Sequence, residues 1–163
     1  MPVYLFTFHA YQSWMPDHER GYTRRDAGVV PTDEEMAENY RRKARFEPVV
    51  FTSIHQKIIV DKLLSVCHER SITCHYAVAV DSHVHPLVSW RDEHLEVNDV
   101  YIRLKQACGF ELAQHFKTKG RPYFSRGGHD DRKQVADRDH FEHLMTRYLP
   151  DHVGYTFSER NQK

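Results

Sequence analysis

Residues 72–90, ITCHYAVAVDSHVHPLVSW, constrain the fold more than any other stretch of the chain. Two runs rich in β-branched and aromatic residues, 72–81 and 83–90, meet across the polar pair Asp81-Ser82. Strands joined by so short a turn can only fold back on each other, so this segment predicts an antiparallel hairpin. The elements around it must then complete a sheet and cover it.

The flanking sequence supplies them. VYLFTFH, 3–9, reads as a first strand, and 12–31 as a polar insertion loop. Residues 32–45 predict an exposed helix. Thr32 and Glu35 have capping-box spacing, acids lead (Asp33, Glu34, Glu35), and bases follow (Arg41, Arg42, Lys43, Arg45). A stronger helix spans 53–70, with Ser53 as N-cap and Ile54, Ile58, Ile59, Leu63 and Val66 as its apolar stripe. Another spans 96–117, with Val100, Leu104, Ala107 and Leu112 near one face, before Gly120 and Pro122 break it. Residues 122–128 read as a short strand or extended loop. A last helix capped by Asp137 or Asp139 runs to Leu149, where Pro150 disturbs it. YTF near the end predicts an edge strand. The order strand, helix, strand, strand, helix, strand, helix is that of a split βαβ unit. It predicts an α+β fold, a ferredoxin-like (RRM-like) antiparallel sheet of four to five strands with helices packed on it. One domain over 1–163, with an insertion at about 12–45, suits a chain of 163 residues.

Three groups of residues carry candidate chemistry. His83-Val84-His85 places two imidazoles side by side on one face of a strand, ready for a divalent metal; the plainer alternative is two polar residues facing solvent. Tyr148 and His152 share a helix face if the helix continues, although Phe141 and Leu144 on the same stripe would equally make Tyr148 a core residue. Pro150 predicts a kink between the two. In KTKGRPYFSRGG, 117–128, the charges Lys117, Lys119, Arg121 and Arg126 alternate with Tyr123 and Phe124, as a surface that binds phosphates and stacks unpaired bases would require. Gly127 and Gly128 would allow close backbone approach.

Taken in order, these segments resemble REP-associated tyrosine transposases, of the single-tyrosine HUH superfamily. YAVAVDSHVHPLVSW (76–90) is similar to the family's HUH strand, RPYFSRGGHDD (121–131) to its aromatic-Arg-Gly stretch, and DHFEHLMTRYLPDH (139–152) to its tyrosine helix. TFHAYQSWMPDHERG (7–21) resembles its opening. The resemblance implies that His83 and His85 hold Mg²⁺ or Mn²⁺, and that His152 stands where the family more often has Asn or Gln as third ligand. It implies Tyr148 as the nucleophile that cuts and rejoins single-stranded or hairpin DNA through a 5′-phosphotyrosine. Lys117, Lys119, Arg121, Tyr123, Phe124 and Arg126 are then the DNA-binding residues. It further implies a bacterial, cytoplasmic, nucleoid-associated protein, and leaves monomer or homodimer open. Pro86 and Pro150 depart from the family's pattern, and point to the alternative of a domesticated nucleic-acid-binding protein that no longer cleaves.

Composition sets limits on these readings. With 23 Lys+Arg against 23 Asp+Glu, any basic surface must be local. Apolar runs of a few residues leave no membrane span, and the N-terminus lacks the pattern of a signal peptide. Cys67, Cys74 and Cys108, odd in number and without metal-type spacing, predict free thiols. A His-cluster hydrolase of small molecules is a third reading, without HExxH to support it.

Overall fold

The computed structural model describes residues 1–17, 19, 22–24, 28–126 and 131–161. Its main sheet is antiparallel, in the order β7-β1-β6-β5-β8. The strands are β1 (Val3–Phe6), β5 (Ile72–Ala79), β6 (His83–Trp90), β7 (Arg132–Gln134) and β8 (Tyr155–Ser158). A short β2 (Phe8–His9) also pairs with β6. β1, helix α2 (Ser53–Glu69), β5, β6, helix α3 (Val97–His115) and β7 follow the split βαβ plan, and β8 adds an edge. The fold is α+β and ferredoxin-like, as the element order predicted.

The predicted hairpin forms, closed by Val80 N–H donating to the His83 carbonyl (2.9 Å). Its turn is tied down from outside. Ala10 N–H donates to the Ser82 carbonyl (2.8 Å) and Phe51 N–H to that of Asp81 (2.7 Å). The pairing shifts by one residue between Cys74 and Tyr76. A bulge of that kind moves the following residues to the opposite face. It puts Tyr76 and Val78 beside Leu87 on one face, and Ala77 and Ala79 with Val84 and Val88 on the other.

The second of these faces carries the larger core. Phe6, Phe8, Val84 and Val88 pack there against Ile59, Leu63 and Cys67 of α2 and Val100, Tyr101, Leu104, Cys108 and Leu112 of α3. Two expected stripe positions differ. Ile54 is exposed and Ala107 only half-buried, while Val60 and Cys108 turn inward. All three cysteines are buried free thiols.

Helix starts are shifted by a residue. Thr52, not Ser53, caps α2, with His55 Nδ1 accepting from its N–H (3.3 Å). Asp33, not Thr32, caps helix α1 (Glu34–Lys43) by accepting from Met36 N–H (2.8 Å). The segment read as a loop holds a hairpin, β3 (Tyr22–Arg24) with β4 (Gly28–Val30). The described part of the segment 122–128, residues 122–126, is not the fourth strand. It makes a single bridge, Ala10 to Phe124, and polar β7 takes the place beside β1. Among the described residues no helix is long and apolar enough to cross a membrane.

Candidate metal and tyrosine site

The site lies on the other face of the sheet. Along β6, His83, His85 and Leu87 share that face. Across the strand boundary, β1 and β2 keep one register with β6. Leu5 pairs with Leu87, Phe8 with Val84 and His9 with His83. Thr7 and His9 therefore stand beside the two histidines, and Leu5 beside Leu87. The face is apolar at one end and imidazole-rich at the other.

Helix α4 (Arg138–His143), capped by the Asp137 side chain, covers the apolar end. It continues as a π-turn, Leu144–Tyr148. Leu144, Met145 and Leu149 pack on Leu5, Val78, Val80 and Leu87. The π-turn explains how Tyr148 avoids the core. An α register would align it with Phe141 and Leu144. The wider turn instead bonds Leu149 N–H to the Leu144 carbonyl (3.0 Å), buries Leu149, and carries Tyr148 to the end of the packed stripe, 39% exposed. Thr146 Oγ1 donates to the Glu142 carbonyl (2.7 Å), supplying a donor where the α ladder is broken.

Pro150 does not separate Tyr148 from His152. The helix has already ended in a turn, with Asp151 N–H on Arg147 O (3.3 Å) and His152 N–H on Leu149 O (3.2 Å). The two rings are 4.9 Å apart. His83, His85 and His152 converge, with ring centroids 4.7, 5.4 and 4.9 Å apart and candidate ligand atoms all within 4.8 Å of one another. The Tyr148 hydroxyl is 3.3 Å from His85 Nε2.

Each imidazole is held through Nδ1. His85 Nδ1 lies 3.2 Å from both the Phe6 carbonyl and Thr7 Oγ1, and His152 Nδ1 lies 2.8 Å from the Tyr148 carbonyl. A carbonyl only accepts, so Nδ1 carries the hydrogen in both rings and Nε2 keeps its lone pair. His83 Nδ1 faces the Ser82 hydroxyl (3.0 Å), which can give or take a proton. Burial holds His83 at a pKa of about 4, with His152 and His9 adding to the depression. Burial, then His83, holds His85 at about 3. Both rings are neutral near pH 7, the form that binds a metal.

This donor set fits a divalent cation: three imidazoles, two with the outward tautomer fixed. Nitrogen donors suit Mn²⁺ better than Mg²⁺.

Several groups around the site are not visible from spacing. His9, the cross-strand partner of His83, has its ring 6.3 Å away, and its Nε2 is 3.4 Å from the carboxylate of Asp131. Tyr101 donates to the same carboxylate (3.2 Å), and Lys105 to Tyr101 (3.0 Å). Burial draws Lys105 down to about 8 and pushes the Tyr101 phenol up. Only strand register brings His9 and Thr7 here, and register is not written in residue spacing.

The predicted DNA-binding stretch divides. Tyr11 N–H bonds Tyr123 O and Ser125 N–H bonds His9 O (both 2.9 Å), so the chain runs along β2 with Ser125 opposite His9, and the next residue, Arg126, is exposed. Lys117 and Lys119 are exposed and Arg121 half-buried, at the end of α3. The aromatic pair does not face solvent as expected. Tyr123 is buried, its hydroxyl 2.9 Å from that of Thr118, and Phe124 packs edge-on against Phe8 (6.0 Å). Their apolar area is worth more in the core than at the surface. Gly127 and Gly128 lie outside the described residues.

No family model and no curated protein matches this chain. A solved structure described as the "Structure of the REP associates tyrosine transposase bound to a REP hairpin" is similar in fold, at 10% identity and a TM-score of 0.44, over 88% of this chain and 61% of that one. The chain thus spans about three-fifths of that protein's length.

Proposed function

We propose that the chain is a metal-dependent DNA strand transferase acting on single-stranded or hairpin DNA. The observation that carries this reading is the meeting of the exposed Tyr148 with three clustered histidines on one face of the sheet. A phenol nucleophile beside neutral, preoriented imidazoles is the minimum that phosphoryl transfer to tyrosine requires. His83, His85 and His152 would hold Mn²⁺ or Mg²⁺, which when bound withdraws charge from the scissile phosphate. Tyr148 Oη forms a bond to phosphorus as the bond to the 3′ oxygen breaks; the phenolic proton leaves, and the 3′ oxygen takes one up. The product is a 5′-phosphotyrosine and a free 3′-hydroxyl. Attack by a second 3′-hydroxyl reverses the step, so joining needs no external energy source.

Lys117, Lys119, Arg121 and Arg126 serve as the phosphate-contacting residues. Tyr123 and Phe124 position this segment instead of stacking bases. Two copies of the chain could exchange tyrosine helices without changing this chemistry. The alternative, a binding protein that no longer cleaves, rests on Pro86, Pro150 and the neutral net charge. Both prolines are accommodated without displacing a site residue, which favours the cleaving form.

The test is strand cleavage. Labelled hairpin DNA with single-stranded flanks, incubated with the protein and Mn²⁺, should yield a nicked product that is lost on chelation and in His83→Ala. Binding without cleavage at any metal concentration would establish the alternative. Absence of DNA affinity at low salt would refute both.

A further inference from the structure

We propose that Pro86 is a positioning residue for the histidine site: by withholding a backbone N–H, it gives the Phe6 carbonyl to His85 Nδ1 and so presents His85 through Nε2. The inference rests on the reading of His83, His85 and His152 as metal ligands.

The argument comes from strand parity. In an antiparallel strand each residue directs its N–H and C=O to the same side, and sides alternate along the chain. On β6 the odd residues face β5, since His83 O accepts from Val80 N–H. The even residues face β1 and β2, since Ser82 O accepts from Ala10 N–H. Pro86 therefore faces β1. The shared register of β1 and β2, Leu5 with Leu87 and Phe8 with Val84, sets Phe6 opposite Pro86. The odd residues of β1 face β7, as Thr7 N–H on Asp131 O and Val135 N–H on Val3 O show, so the Phe6 carbonyl points at β6.

Any other residue at 86 would donate its N–H to that carbonyl. Proline cannot. Phe6 is fully buried, and a buried carbonyl takes a partner where one is within reach. The partner here is His85 Nδ1, 3.2 Å away. The ladder is broken between β1 and β2 at this point. A residue that looks like a strand defect thus sets the tautomer of the adjacent ring. Orienting a ligand through its second nitrogen typically changes metal affinity 10–100-fold.

Pro86→Ala restores the competing N–H, and three measurements on the full chain follow. In the metal-free protein, long-range ¹H–¹⁵N spectra of labelled histidine should show His85 protonated at Nδ1 in the wild type. In Pro86→Ala they should show a shift toward the Nε2-protonated form. Mn²⁺ affinity should fall about tenfold, while the melting temperature holds or rises because a ladder bond is regained. A general packing defect would lower both together. A wild-type His85 protonated at Nε2 overturns the proposal even if the variant does not fold, as does a Pro86→Ala protein with unchanged tautomer and Mn²⁺ affinity. His85→Ala separates the two claims. If it leaves Mn²⁺ binding untouched, the ligand reading fails, while the tautomer spectra still decide the role of Pro86.

Discussion

The Tyr148 hydroxyl lies 3.3 Å from His85 Nε2, the nitrogen left free once Nδ1 has taken the Phe6 carbonyl. Nε2 carries no hydrogen in that tautomer, so the phenol donates to it. Nucleophile and metal therefore compete for one lone pair. Tyr148→Phe should remove the competitor and tighten Mn²⁺ binding, by about 2- to 10-fold if the hydrogen bond is worth roughly 0.5–1.5 kcal/mol. Titration calorimetry measures it. Weaker binding would mean that the hydroxyl supports the metal instead.

The buried histidines make the metal-free protein acid-sensitive. Unfolded imidazoles take up protons near 6.5, whereas folded His83 and His85 do so only near 4 and 3. Across that window the unfolded chain binds more protons, so stability falls as pH drops below about 6.5. His85→Gln removes one of the two groups. Its midpoint in urea should change less between pH 6.5 and 4.5 than that of the wild type. Equal slopes would show that His85 is not held neutral by burial.

Gly154 joins the His152 turn to β8. A Cβ there would run into the Ala79 carbonyl oxygen, on backbone that cannot yield cheaply. Gly154→Ala should destabilise the fold by about 1–3 kcal/mol in urea melts. It should also weaken Mn²⁺ binding, because moving β8 moves His152. A variant with parental stability and affinity would contradict this docking of the tail.

The basic stretch should separate by burial. Tyr123→Ala should cost stability, on the order of 3–5 kcal/mol as for other large core aromatics. Arg126→Ala should leave stability unchanged, weaken hairpin-DNA binding, and lower the slope of log affinity against log salt by about 1. An unchanged slope would remove Arg126 from the interface.

The sequence exposed much of this architecture. The hairpin and the α2 and α3 helices were legible because their apolar periodicity is strong, and the element order then fixes the sheet. β7 was not legible. Arg132, Lys133 and Gln134 join the sheet edge through backbone bonds that need no apolar pattern. Tyr123 and Phe124 misled for a related reason, since aromatics between charges fit a base-stacking surface and a buried edge equally well. α-helical spacing pairs Tyr148 with His152, yet the helix there is a π-turn; that register frees Tyr148 and buries Leu149. Thr7 and His9 leave no signal in residue spacing, because a cross-strand neighbour depends on register. Pro86 stands out in the sequence as a strand irregularity, and its consequence follows only from the parity of both neighbouring strands.

The central claim is that Tyr148 attacks DNA at the histidine site. Intact-mass and peptide mass spectrometry of the protein, after incubation with Mn²⁺ and hairpin DNA carrying single-stranded flanks, tests it most directly. The account predicts a DNA adduct localised to Tyr148, absent without metal and absent in Tyr148→Phe. An adduct on another residue, or wild-type protein that binds the DNA with Mn²⁺ present and stays unmodified, would contradict it.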